Sequence, residues 1–278
     1  MKNILKIMLM MITIFTIAGS AVYAAEIPVS DQDQLITSRD WTEISNLQDE
    51  MKKEEPDATI DYDKALKVYV DCNLIKLQTA DTKKLTSALE SANYVWVIPF
   101  KMEKTYGMFT VAKGLPLREE AKSVLTKAEQ EEVKNHVGKW MITEIAEHTV
   151  EPYYDILLEK REALSDCTRV VLVGSQPGMR QPVALGMDDE TARVWISLGY
   201  QYPVMEKIPE TQNVESGVYS FDSVAEISDT YIEDSEVSTG VGVQSRSSMK
   251  YVAGIGIIVI GSILILSVLK KKKLEDYE

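Results

Sequence analysis

The chain has 278 residues, 45% hydrophobic, 26% charged and 8% aromatic, a composition that excludes disordered, collagen-like and knottin-like classes. Its formal charge of −13 and sequence pI of about 4.8 exclude a nucleic-acid backbone as partner, since clustered Lys and Arg drive that binding.

Lys2 and Lys6 precede an apolar run from Ile7 to Ala18, and small residues follow up to Ala24. This order predicts a secretory signal peptide over 1–24. At the other end, Tyr251 to Leu269 are 19 residues without a charge, followed by Lys270, Lys271, Lys272 and Lys273. At about 1.5 Å of rise per residue such a run reaches across the roughly 30 Å of a bilayer core, and the lysines mark the cytoplasmic side. The expected topology is therefore a single-pass protein of the cell membrane. Its N-terminal domain is extracytoplasmic, the transmembrane helix covers 251–269, and the cytoplasmic tail, 270–278, is too short for a signalling domain.

An apolar segment with a basic tail also resembles the sorting signal of proteins that sortase attaches to Gram-positive cell walls. Where that family carries Leu-Pro-x-Thr-Gly this chain reads Glu236-Val237-Ser238-Thr239-Gly240, with only the Thr-Gly pair in common, so a retained span is the expectation.

Leaving out Lys2, Lys6, Lys270 to Lys273, Glu275, Asp276 and Glu278, the region from Ala25 to Lys250 keeps 24 basic and 40 acidic residues. Such a surface repels anionic lipid and suits solubility or a cationic partner. From Pro209 to Lys250 the composition turns to Ser, Thr, Gly and acidic residues without periodic apolar positions, which predicts an acidic stalk over 209–250. The folded domain is then expected over 25–208, long enough for one substantial core.

Within it, Trp41, Ile44, Leu47 and Met51 follow the capping-box spacing of Asp40 and Glu43, predicting a helix. Leu66, Val68, Val70, Cys72 and Leu74 alternate with polar residues, as in a half-buried strand. Asp81 caps a helix carrying Leu85, Ala88, Leu89 and Ala92 on one face. Tyr94 to Ile98 and Met108 to Val111 form a hairpin, and Pro99 argues for an edge position or a bulge. Thr126 and Glu129 open the longest predicted helix, with Val133, Val137, Trp140, Met141 and Ile145 as its apolar stripe. A further helix runs from Pro152 to Leu164. Strands at Arg169 to Val173, Val183 to Met187 and Arg193 to Leu198 follow, with turns at Pro177-Gly178 and Asp188-Asp189. The order predicts an α+β fold, a mixed, largely antiparallel sheet packed with helices, as the ectodomain of a membrane protein.

Cys72 and Cys167 are the two cysteines, and in an oxidising compartment they are expected to form a disulfide stabilising the fold by about 4 to 5 kcal/mol. No catalytic constellation, cofactor site or metal site is expected. His136 and His148 lack zinc-motif spacing, and Ser175 lacks the spacing of a nucleophile elbow. Asp61, Asp63 and Asp71, or Asp188, Asp189 and Glu190, lack the Gly and bidentate Glu of a calcium loop. The expected function is a membrane-anchored binding or interaction module at the cell surface, such as an outer subunit of an envelope complex, not an enzyme. Its expected partners are the lipid bilayer and an unidentified envelope protein. The alternative is a tethered envelope hydrolase using acidic residues.

Overall fold

A computed structural model describes residues 27–228, except 118, 123–124, 149–150, 175, 177–178, 180, 201, 203 and 210–212. Among the described residues ten strands make one sheet: β1 (Thr59–Ile60), β2 (Leu66–Val70), β3 (Asn93–Lys101), β4 (Tyr106–Lys113), β5 (Trp140–His148), β6 (Arg169–Val173), β7 (Val183–Met187), β8 (Ala192–Ile196), β9 (Asn213–Glu215) and β10 (Val218–Ser220). The helices are α1 (Trp41–Ile44), α2 (Gln48–Glu54), α3 (Thr82–Ser91), α4 (Glu119–Lys122), α5 (Lys127–His136), α6 (Tyr153–Glu159) and α7 (residues 221–228). The fold is α+β, as the order of elements predicts.

Across the sheet the strands run β5-β4-β3-β2-β6-β7-β8-β10-β9, with β1 beside β3. Every pair is antiparallel except β2 with β6, which join in parallel through Val68 opposite Leu172 and Tyr69 opposite Val173. Two antiparallel halves therefore meet at one short parallel seam.

Helices cover both faces of the sheet. On the first, Leu35, Ile44 and Met51 pack on Trp96, Ile98, Phe100, Phe109 and Val111 of one half. Leu85 and Leu89 of α3, with Phe221 and Val224 of α7, pack on Val171, Val173, Leu185 and Trp195 of the other. On the second face, Tyr153, Leu157 and Leu164 cover Leu66, Val68, Val170, Leu172 and Ile196. A central strand covered on both sides has no solvent face, and all five residues of β2, Lys67 and Tyr69 included, are buried.

The chain entering the domain threads the seam. Val29 bridges to Val170 and Gln34 to Leu66, while Val170 N donates to Pro28 O at 2.7 Å and Leu35 N to Ala65 O at 3.2 Å. Residues 27–35 thus lie between the amino ends of β2 and β6. They begin with Ile27 and Val29 in the second-face core and end with Leu35 in the first-face core.

Four expectations are corrected. The longest predicted helix stops at His136, and residues from Trp140 onwards form β5. Gly138, at φ 76°, breaks the helix in a left-handed conformation that suits glycine. Of the apolar stripe assigned to one helix, Trp140 and Ile145 lie instead, with Ile142, on the inner face of a strand, and the register shift between Thr110 and Val111 spoils its strict alternation. Pro99 is neither at an edge nor in a bulge. Its carbonyl accepts from Asp61 N at 2.9 Å, so its missing N–H faces the gap where β2 ends opposite Val97 and β1 begins opposite Phe100.

The third correction concerns the stalk. The domain does not end at 208: β9, β10 and α7 lie beyond it, β10 pairs with β8, and Val218 and Val224 are fully buried. The fourth concerns the membrane. Among the described residues no helix is long and apolar enough to cross one, so the spanning helix is without structural support. The residues assigned to the signal peptide, the span and the tail, and the stalk beyond residue 228, lie outside the described residues.

Candidate functional site

Among the described residues, the densest group of buried ionisable side chains sits where the entering segment crosses the seam. Asp33 is 2% exposed. Its carboxylate accepts from Ser30 Oγ at 2.6 Å and from the Tyr69 hydroxyl at 2.7 Å. It pairs with Arg169 Nη2 at 3.1 Å and Lys67 Nζ at 3.3 Å. Lys67 and Tyr69 come from β2 and Arg169 from β6, so one carboxylate ties the entering segment to both strands of the seam.

Burial alone would raise the Asp33 pKa. The hydrogen bonds from Ser30 and Tyr69 and the charges of Lys67 and Arg169 outweigh it and hold the carboxyl below the usual aspartate range. Burial, reinforced by the Asp33 charge, pushes the Tyr69 phenol up, so Tyr69 stays a neutral donor.

Two cations facing one carboxylate leave a positive excess, which aromatic rings offset. Lys67 Nζ lies 4.8 Å from the Tyr94 ring centre, 5.3 Å from that of Trp96 and 5.6 Å from that of Tyr69. The register sets these contacts, with Trp96 opposite Lys67 and Tyr94 opposite Tyr69. Asp40 completes the cage from outside, accepting from Tyr94 OH at 2.9 Å and Trp96 Nε1 at 3.1 Å. Asp40 makes no side-chain cap on α1, contrary to the capping-box reading.

Gln176 closes the far end of the seam. Its Oε1 accepts from Leu74 N at 2.9 Å, and its Nε2 donates to Cys72 O at 2.6 Å and Gly174 O at 3.0 Å. The carboxyl ends of adjacent parallel strands, where the chain departs in opposite directions, form the crevice in which open sheets commonly bind ligands. Here a buried glutamine occupies it. Beside it Asp71 ends β2 at φ 60° and accepts from Asn93 Nδ2 at 2.9 Å.

The structure separates the two cysteines. Both thiols are free, so the expected disulfide is corrected: Cys72 packs against the first-face core and Cys167 belongs to the second-face core. Burial, with Asp71 beside Cys72 and Asp166 beside Cys167, pushes each thiol up to about 11.

His136 sits in the last turn of α5, and His148 is the last residue of β5 rather than a helix end. Asp188 is a turn residue, accepting from Thr191 N at 2.6 Å and Glu190 N at 2.8 Å and pairing with Arg193; Asp189 accepts from Thr168 Oγ1 at 2.9 Å. Among the described residues no three His, Cys, Asp or Glu side chains are grouped to hold a metal. Ser175 lies outside the described residues.

Sequence reasoning missed the Asp33 group. Its one local signal is Lys67, a charge inside the run Leu66-Lys67-Val68-Tyr69-Val70, which reads as a solvent face unless a distant anion is known. Comparison with protein-family models, with curated proteins and with solved structures finds no match.

Proposed function

We propose that this domain is a binding module that acts through its surface and not an enzyme. The observation that supports the reading is the use made of its most chemically suggestive group: Asp33 is saturated by four donors, Lys67 is held among aromatic rings, and Arg169 Nη2 is spent on Asp33 and the Tyr69 hydroxyl, all within the fold. Gln176 fills in the same way the crevice where an open sheet would hold a small ligand. Side chains so engaged fasten elements together and present no group to a substrate.

A photo-crosslinking amino acid placed in turn at Ile36, Leu77, Leu115, Val137, Leu158 and Val214, all exposed, tests this in the cells that make the chain. A binding module yields a discrete adduct from at least one position. Absence of any adduct, together with turnover of ester, peptide or glycoside substrates that D33N abolishes, contradicts it.

A further inference from the structure

We infer that the corner formed by residues 113–115 and 137–139 docks an acidic peptide segment carrying apolar side chains. The inference rests on the binding-module reading and gives that module a face and a ligand chemistry.

Leu115 and Val137 are 42% and 41% exposed and lie side by side in the chain path, because Gly114 bridges in parallel to Val137. Gly114 N donates to Lys139 O at 2.9 Å, and Gly138 N donates to Gly114 O at 2.8 Å. A Cβ on Gly114 would stand 2.1 Å from the His136 carbonyl oxygen, so the two backbones meet as closely as glycine alone permits. Gly138 holds the turn at φ 76°. The two aliphatic side chains therefore stand on a backbone fixed before any partner arrives, which lowers the ordering cost of binding.

Lys113 and Lys139 flank this pair, are exposed, and have no ion pair among the described residues. Lys113 Nζ lies 5.4 Å from the ring centre of Trp140, which is 7% exposed and whose indole N–H has no acceptor among the described residues. On a chain of net charge −13, two exposed lysines without an ion pair among the described residues, beside two exposed aliphatic groups, make a local reversal of sign. Such a patch complements carboxylates placed next to apolar side chains. An extended anionic lipid surface would face the acidic remainder of the chain as well as these lysines, whereas a short acidic peptide meets only the corner and is screened from charges beyond about 10 Å, so the peptide is the occupant the charges favour.

Fluorescence anisotropy with the full chain and a labelled peptide of alternating glutamate and leucine tests the inference. A lysine-leucine peptide, a glutamate-serine peptide and phosphatidylserine vesicles serve as comparison probes. The glutamate-leucine peptide should bind best, and more weakly as salt rises. L115S/V137S, and separately K139E, should each weaken it by about tenfold, whereas L158S, elsewhere on the surface, should not. Equal binding of the lysine-leucine peptide, indifference to both corner variants, or binding of vesicles in place of peptide overturns the inference. A crosslinked adduct from another position, with none from Leu115 or Val137, would sink the corner while leaving the binding-module reading intact.

Discussion

Tyr69 shows how one hydroxyl serves a buried charge. Its O–H donates to Asp33 and its ring faces Lys67, so Y69F removes a charge-assisted hydrogen bond while keeping the packing. Urea unfolding should show a loss of about 1.5 to 3 kcal/mol. The cysteines allow a second check. With both thiols pushed up to about 11, neither supplies much thiolate at neutral pH, so the native protein should react slowly with a thiol reagent. Unfolding should release two equivalents, and mass spectrometry without reduction should find no linked peptide. Tight packing holds one of these thiols: a Cβ on Gly186 would stand 2.8 Å from Cys167 Sγ and 2.9 Å from Val194 Cγ2. At this scale the sequence was least legible. Lys67 and Tyr69 occupy the polar positions of an alternating strand, and Asp33, 34 residues before the first and 36 before the second, accounts for their burial.

Local chemistry made several elements legible. Asp81 caps α3 by accepting from Lys84 N, and Thr126 and Glu129 form the capping box of α5, as their spacings predict. T126A should lower stability by about 1 kcal/mol, read as a small shift of the thermal midpoint. Legibility failed where two periods coincide. Val133, Val137, Trp140, Met141 and Ile145 satisfy a helical stripe, but Gly138 and the bulge opposite Thr110 divide them between a helix, a turn and a strand. It failed again after Pro209, where isolated apolar residues read as too few to fold. Val218 reaches the second-face core beside Ile196 of β8, while Phe221 and Val224 reach the first-face core built by β8 and α3, where Phe221 stacks on Trp195 with ring centres 5.7 Å apart. A chain ending at Pro209 should therefore lose several kcal/mol and melt well below one ending at Lys250, because it uncovers that core and leaves β8 as an edge.

Over the whole molecule, two antiparallel halves share a parallel seam of two residue pairs, with Asp33 fastening one end and Gln176 the other. Sequence patterning conveyed the fold class, since hairpins and helix caps are local. It could not convey the seam, which joins residues some hundred positions apart in the chain. The apolar cores span both halves, so the clips are not the main source of stability. They fix the path of the entering segment, and breaking one leaves charges buried without their partner.

Because the Asp33 pKa is lowered in the fold from its ordinary 3.8, its contribution is fully present above that value. The contribution is lost as the pH falls through the lower folded value, when the carboxylate takes up a proton. Comparing the unfolding free energy of D33N with that of the unaltered chain across pH tests the seam most directly. At neutral pH the variant should be less stable by about 3 to 5 kcal/mol, since buried Lys67 and half-buried Arg169 remain without their anion. Below pH 3.8 the difference should shrink towards zero, because a protonated Asp33 and an asparagine are nearly equivalent. A neutral-pH difference under about 1 kcal/mol, the worth of an exposed ion pair, or one that persists unchanged into acid, would contradict the role given to Asp33.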